Sequence, residues 1–299
     1  MLQQTQVSTV LARFYDPFLQ KFPTVQALAD APREAVMKAW EGLGYYRRAG
    51  NLHEAAKLAR AGMPRDIAGL LALPGIGQNT AHAVAAFAYH QPVAIMEANV
   101  KRIVARIFAL STPSDNALWQ AAEMLLNRAE PFHYNQAMMD LGSLICLSKN
   151  PKCGACPANT ICLGQSDPEH YPAPKAKKQV PVREVILLVR EDAAGKLYLE
   201  KRDAALLGGL YGFPQLTTPA KKGWEKLGTV THVYSHFKLI GNVMHERVAS
   251  RSNSADWHSR EEIAALPLSK VDHKALALVE NCHSPQKKKG KAPPPRHSR

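Results

Sequence analysis

This 299-residue chain has no run of about eighteen apolar residues and no signal-like start, so neither a membrane span nor an export segment is expected. Acidic side chains are in deficit: 25 Asp and Glu stand against 38 Lys and Arg, a formal charge of +13. That balance favours a polyanion as partner. Part of the excess lies in Gln286-Lys287-Lys288-Lys289-Gly290-Lys291 and the prolines after it, which read as a disordered, solvated tail. No internal repeat is present. Cysteine is scarce and uneven. Of five, Cys146, Cys153, Cys156 and Cys162 follow the spacing C-x6-C-x2-C-x5-C, leaving only Cys282 elsewhere. A secreted disulfide framework would spread and pair its cysteines, so this distribution points to a reducing compartment and a metal site. Tetrathiolate zinc usually pairs two short C-x-x-C knuckles, and only Cys153 and Cys156 form one. Four-cysteine ligation also suits a [4Fe-4S] cluster. On spacing, iron–sulfur is favoured over zinc, and either over free structural cysteines.

The length allows two domains, and a hydrophobic content of 46% is enough for packed cores. Residues 1 to about 145 read as helical, with apolar positions at helical spacing in Val7, Val10, Leu11 and Phe14 and again in Ala83, Val84, Phe87 and Ala88. The cysteine loop, residues 146–162, closes a helical domain of residues 1–165. Residues 166–183 contain Tyr171-Pro172-Ala173-Pro174-Lys175-Ala176-Lys177-Lys178 and read as a basic linker. Residues 184–280 change character. Val185-Ile186-Leu187-Leu188-Val189 and Leu197-Tyr198-Leu199 flank Asp192-Ala193-Ala194-Gly195-Lys196 as in a β-hairpin, residues 230–240 read as one further strand, and residues 259–265 and 272–280 as short helices. The second domain is therefore expected to be α+β, followed by the tail at residues 281–299.

Leu73-Pro74-Gly75-Ile76-Gly77 lies between two helical stretches, residues 66–72 and 78–89, the pattern of a helix-hairpin-helix. Glycines let the backbone approach a phosphate, and the amides that open the next helix can bind it. Such contacts position a duplex without reading its sequence. An ordinary glycine turn would leave the same pentapeptide. Further along, Glu97 precedes Asn99, Lys101 and Arg102. Its carboxylate could face a nucleotide, or simply balance the two cations in solvent.

Taken in order, Met1-Leu2-Gln3-Gln4-Thr5-Gln6-Val7, Gly42-Leu43-Gly44-Tyr45-Tyr46, the hairpin, Asn135-Gln136-Ala137-Met138-Met139-Asp140-Leu141-Gly142 and the cysteine loop resemble the adenine DNA glycosylase (MutY) family of the endonuclease III superfamily. Leu207-Gly208-Gly209-Leu210-Tyr211-Gly212-Phe213-Pro214 and Tyr234-Ser235-His236-Phe237 resemble that family's Nudix-like second domain. The likeness reaches about residue 280. It implies an all-α glycosylase domain whose loop holds a [4Fe-4S] cluster and orders a basic DNA-contacting segment, here with Lys149 and Lys152. It implies a monomeric, cytoplasmic, nucleoid-associated bacterial enzyme that acts on double-stranded DNA containing an 8-oxoguanine:adenine mismatch. Adenine is flipped out, protonated and released, while a carboxylate stabilises the oxocarbenium-like sugar. By motif position Glu97 is that carboxylate and Asn99 an active-site amide. Gln4 and Tyr45 wedge and buttress the opened stack, Gly75 and Gly77 hold phosphate with Lys101 and Arg102 nearby, and Ser235 and His236 read the oxidised base.

The sequence departs from the family in three places. The family's general-acid glutamate stands two residues before Met-Leu-Gln-Gln-Thr, and the sequence given opens at that Met. The expectation is a start that lies upstream, with residues 1–299 alone excising at least about 10²-fold more slowly than an extended chain. A lesion-binding protein without catalysis is the alternative. Glu97 stands where the family usually has Asp, a change that moves the charge by about 1.5 Å. Tyr234 replaces a usual Phe. An endonuclease III-like lyase needs a lysine two residues after Gly77 for a Schiff base, and that position is Asn79. A Nudix hydrolase needs a glutamate-rich metal box downstream of Phe213-Pro214, which is missing, so the second domain reads as a recognition module.

Overall fold

The computed structural model describes residues 1–2, 5–174, 179–203, 207–249 and 256–283. Gln4, part of the linker and residues 284–299 of the tail lie outside them. The helices of the first half are α1 (Val7–Arg13), α2 (Tyr15–Lys21), α3 (Val25–Asp30), α4 (Arg33–Ala39), α5 (Arg47–Leu58), α6 (Ile67–Leu71), α7 (Gln78–Tyr89), α8 (Ala98–Ile107), α9 (Asp115–Leu125) and α10 (Pro131–Leu144). Strands β1 (Val182–Asp192), β2 (Leu197–Tyr198), β3 (Glu200–Lys201), β4 (Tyr211–Gly212), β5 (Gln215–Leu216), β6 (Glu225–Val233), β7 (Lys238–Val248) and β8 (Trp257–His258) follow, then α11 (Arg260–Ala265) and α12 (Lys270–His283). The chain forms two compact units that do not follow its order. One gathers Met1–Lys21, Ala31–Gly50 and Gln179–Arg299, the other Phe22–Asp30 and Asn51–Lys178.

The second of these is all helical apart from its loops, and α8 is its core helix. Val100, Ile103, Val104 and Ile107 recur at positions i, i+3, i+4 and i+7 and are all buried. They pack with Ile95, Met96, Leu118, Ala122 and Met138. A helix this short is marginal alone. Burial at about 1.5–3 kcal/mol per large apolar side chain holds it in place. A smaller cluster, Leu70, Ala81 and Ala85 with Ile67 and Ile76, joins α6 to α7 around the glycine turn.

In the other unit a mixed sheet runs β6-β7-β1-β2-β8, with β5 also pairing with β1. β1 and β7 are parallel along their whole length, from Val182 opposite Lys238 to Asp192 opposite Val248. Leu187, Leu188 and Val189 are buried in succession, as a continuous apolar run in a centrally placed strand requires. The α12 residues Val271, Ala275 and Val279, four apart, join the same core. The expected turn between β1 and β2 forms, with Asp192 Oδ1 accepting from the amides of Ala194 and Lys196 at 2.9 and 2.8 Å. The single strand expected at residues 230–240 is instead the end of β6, a turn and the start of β7. The Tyr234 amide donates to the Phe237 carbonyl at 2.8 Å and closes that turn. No Gly, Pro, Asn or Asp marks it, so alternation alone ran the two strands together.

Residues 31–50 belong to this unit because they bond to its C-terminal segment. Glu41 Oε1 accepts from the Leu268 amide at 2.8 Å and contacts His273 Nε2 at 2.8 Å, and Oε2 accepts from Lys38 Nζ at 2.6 Å. Lys38 Nζ also donates to the Leu266 carbonyl at 2.9 Å, and Lys201 pairs with Glu34. Burial pushes the Glu41 carboxyl up, but hydrogen bonds from His273, Lys38 and the Leu268 amide outweigh it and bring it from 4.5 down to about 2. A carboxyl depressed in the fold stabilises above its unfolded value, and that contribution is lost as pH falls through the folded value. The stability gap between the parent and Glu41→Gln should therefore be constant above pH 4.5 and close as pH falls toward 2. Urea unfolding of both proteins across that range measures it.

Candidate functional site

In the helical unit, Asp66 caps α6 by accepting from the Gly69 amide at 2.8 Å. Leu73-Pro74-Gly75-Ile76-Gly77 then turns the chain into α7. Gly75 has φ +77°, and a Cβ there would lie 2.7 Å from Asn51, so only glycine fits. Nothing lies within 4 Å of where a Gly77 Cβ would be, which leaves the α7 N-terminus open beside it. First-turn amides have no acceptor within their own helix, so this end is disposed to bind an anion.

Two residues on, Asn79 links the hairpin to the carboxylate. Its Oδ1 accepts from the Met96 amide at 2.6 Å. The segment at residues 93–97 is neither helix nor strand, and side chains satisfy its backbone. Asn135, 1% exposed, accepts from the Ile95 amide at 3.0 Å and donates to the Val93 carbonyl at 3.0 Å. Glu123 accepts from the Ala94 amide, and His82 Nδ1 bonds the Ala94 carbonyl. Glu97 ends the segment as the N-cap of α8, with Oε1 accepting from the Asn99 and Val100 amides at 3.0 and 3.2 Å. The longer side chain thus curls back onto its own helix and sets the carboxylate at the positive end of α8.

Not every expected cation is available to DNA. Lys101 pairs with Asp115 at 2.6 Å on the surface. Arg102 is turned inward, donating to the carbonyls of Cys146 and Gly142 at 2.8 and 2.7 Å and to Asn99 Oδ1 at 2.9 Å. It orients Asn99 and ties α8 to α10. One turn on, Arg106 is 3% exposed and collects the carbonyls of Leu147, Ser148, Pro168 and Tyr171, with Cys146 Sγ at 3.3 Å. Sequence reasoning missed Arg106, although two arginines four apart before a cysteine loop was a usable signal.

The four cysteines line one pocket with Arg106, Ile145, Asn159 and Pro168. Two short 3-10 turns, Cys153–Ala155 and Asn159–Ile161, shape it. Among the described residues, no group of three or more His, Cys, Asp or Glu is placed to hold a metal ion. Burial raises the Cys162 thiol, the Gly164 amide lowers it, and charge on Cys146, Cys153 and Cys156 raises it further. Asn159 Oδ1 is buried on this wall without a hydrogen-bond partner. Lys149 and Lys152 are exposed on the loop.

The other unit carries Tyr45 and the Tyr234–Phe237 turn. Gly42, Gly44 and Tyr45 have φ of 90°, 79° and 52°, a left-handed run that is strained at Tyr45. Trp40 Nε1 and Arg48 Nη2 both donate to the Gly44 carbonyl, the Gly42 amide donates to the Tyr46 hydroxyl, and the Arg48 guanidinium lies 5.0 Å from the Tyr45 ring centre. Tyr45 is 46% exposed. At the turn, Ser235 and His236 are exposed with Ser235 Oγ 3.1 Å from His236 Nδ1. Tyr234 stacks on buried Phe237 at 4.6 Å, and burial raises its hydroxyl to about 12. Arg183 lies 4.3 Å over the Phe237 ring. Gln4 is outside the described residues.

Residues 1–128 match the model of the HhH-GPD superfamily base excision DNA repair proteins, and residues 185–278 that of the NUDIX domain. An adenine DNA glycosylase of Mus musculus is 30% identical over 94% of this chain and 70% of its own length. One from Buchnera aphidicola is 32% identical over 72% of this chain, and one from Arabidopsis thaliana 35% over 72%. The chain spans 64% and 41% of the length of those two. Among solved structures, a thermostable thymine-DNA glycosylase shares 28% identity with a TM-score of 0.51, over 55% of this chain and 80% of its own. An endonuclease III–DNA intermediate, at 21% identity and TM-score 0.50 over the same shares, shares the fold.

If Asn135 holds the segment that ends in Glu97, Asn135→Ala should cost about 1–3 kcal/mol, because the buried Ile95 amide and Val93 carbonyl lose their partner. Hydrogen exchange should also rise selectively at residues 93–97. Uniform loss of protection across the helical unit would count against this.

Proposed function

The chain belongs to the adenine DNA glycosylase family, and on that premise we propose that it removes adenine paired with 8-oxoguanine by hydrolysing the N-glycosidic bond. The observation that carries the reading is the relative of that name aligned over 94% of the chain, across the helical and Nudix-like parts together. The base must leave the stack before its glycosidic bond can be reached. The Gly75–Gly77 turn and the α7 N-terminus hold a phosphate of the duplex, while exposed Tyr45, with Gln4, fills and buttresses the opened stack. Glu97 stabilises the positive charge that develops on the sugar, with Asn99 held beside it by Arg102. Ser235 and His236 read the oxidised base. Lys101 and Arg102 act from the Glu97 helix, Arg102 through Asn99. Asn79 offers no amine for a Schiff base, so the enzyme is monofunctional.

We also propose that the cysteine loop holds a [4Fe-4S] cluster through Cys146, Cys153, Cys156 and Cys162. Supporting this, all four cysteines line one pocket, and four thiolates are the ligand set such a cluster takes. The unpartnered Asn159 amide on the pocket wall can turn its NH2 toward sulfur. When bound, the cluster cross-links residues 146–162 and so presents Lys149 and Lys152. Iron analysis should find about four irons per chain. Cys153→Ser or Cys156→Ser should lose iron and weaken DNA binding, whereas Cys282→Ser should change neither. Stoichiometric zinc after anaerobic purification would overturn the assignment.

The function is tested by binding. The 299-residue chain should bind an 8-oxoguanine:adenine duplex at least about tenfold more tightly than an undamaged one, each altered pair being worth about 1–3 kcal/mol. A duplex carrying a cationic pyrrolidine in place of the adenine nucleotide's sugar mimics the charged sugar. Glu97→Gln should weaken its binding by about 10²-fold and Glu97→Asp far less. Borohydride with an abasic duplex should trap little covalent complex. Equal affinity for damaged and undamaged duplexes, or efficient trapping, defeats the proposal.

A further inference from the structure

The loop that carries Tyr45 is built from two distant parts of the chain. Glu41 opens it and bonds the Leu268 amide and His273, while Lys38 beside it bonds the Leu266 carbonyl. Tyr46 closes it, with its hydroxyl donating to the Leu268 carbonyl at 3.3 Å and accepting from the Gly42 amide at 3.1 Å. Both ends of a strained turn are therefore anchored on residues 266–273, more than two hundred positions away.

Those residues are themselves fixed within the Nudix-like domain. The Tyr211 amide donates to the Pro267 carbonyl at 2.9 Å. Asp272, fully buried, accepts from Arg202, the Phe213 amide and Ser269. The next side chain but one on α12, Lys274, donates to the Thr231 carbonyl of β6 at 2.7 Å. β6 leads three residues later into the turn that bears Ser235 and His236. A continuous set of hydrogen bonds and one packed helix therefore joins the lesion-facing turn to the Tyr45 loop.

We propose that Glu41 is a positioning residue through which α12 holds the Tyr45 loop, so that contact of Ser235 and His236 with the lesion is coupled to insertion of Tyr45. The coupling to the lesion rests on the function proposed above. The holding of the loop does not. Glu41 touches no substrate in this account. Its carboxylate joins a strained turn to the domain proposed to read the opposite base, through the Leu268 amide and His273.

The test uses the 299-residue chain, loaded with iron, with His273→Ala, Glu41→Ala and Glu41→Gln. Without DNA, hydrogen exchange of the residue 42–48 amides should rise at least about fivefold in His273→Ala and in Glu41→Ala, and less in Glu41→Gln, which keeps an acceptor for the Leu268 amide. Unchanged exchange in His273→Ala and Glu41→Ala overturns the inference, whatever the protein does to DNA. With DNA, the preference for 8-oxoguanine:adenine over guanine:adenine should fall about tenfold in Glu41→Ala. Affinity for the guanine:adenine duplex should stay within about twofold, a pattern that general destabilisation would not give. An intact preference in a variant with a loosened loop also overturns the coupling. If the parent protein shows no preference, the lesion-reading function falls, and the exchange measurement still decides whether α12 holds the loop.

Discussion

The helical unit depends on burying Arg106. An isolated cation taken out of water costs several kcal/mol, so the surrounding chain must bring acceptors to it. Here the carbonyls of Leu147, Ser148, Pro168 and Tyr171 and the Cys146 sulfur do so. The loop could not take another path without stranding the charge. The backbone adds to this, since the Leu163 and Gly164 amides donate to the Ile107 and Arg106 carbonyls at the end of α8. The path of the cysteine loop is thus set by a helix, before any metal is considered. At the other end of the same helix, about 13 Å away at 1.5 Å per residue, stands Glu97. One short rod, clamped on its apolar face, fixes both the carboxylate and the thiol loop.

The irregular residues 93–97 pose the opposite problem. They run through the interior with no ladder to satisfy their amides and carbonyls, and an unpaired buried group costs about 1–3 kcal/mol. Asn79, His82, Glu123 and Asn135, drawn from three helices, supply the partners. Asn79 therefore has a structural role of its own. Its amide does structural work at the point where a lysine would supply an amine, and one hydrogen bond to the Met96 amide ties the helix after the glycine turn to the segment that ends in Glu97.

Much of this was legible beforehand. Helix-hairpin-helix bounds, the apolar face of α8 and the β1–β2 turn follow from local pattern, because periodicity and turn chemistry are local. The Tyr234–Phe237 turn was not legible, since it is closed by its own backbone and Ser235 is its one weak turn residue. Arg102 was read as a cation for DNA because charge is visible in sequence and the carbonyls of Cys146 and Gly142 are not. Glu41 carries no local sign of its role, because its partners Leu268 and His273 are 227 and 232 positions away. Side chains that bond backbone groups leave the least trace, since any residue supplies a carbonyl.

The same distinction bears on how the net charge of +13 should be understood. Arg48, Arg102, Arg106 and Arg202 each donate to protein carbonyls or to Asp272. These bonds hold turns and loops in shape. Each phosphate contact adds about 0.9 to the slope of log affinity against log salt. Formal charge alone therefore does not count the phosphate contacts that a duplex would receive. On the function proposed, recognition would draw also on local geometry: in one unit a glycine turn with open amides and a carboxylate at a helix end, in the other an exposed aromatic residue on a strained loop. Preorganisation of that kind is specific where bulk charge is not. Four arginines spent on protein carbonyls and on Asp272 shape the loops around these features, so charge and geometry cannot be varied independently at those positions.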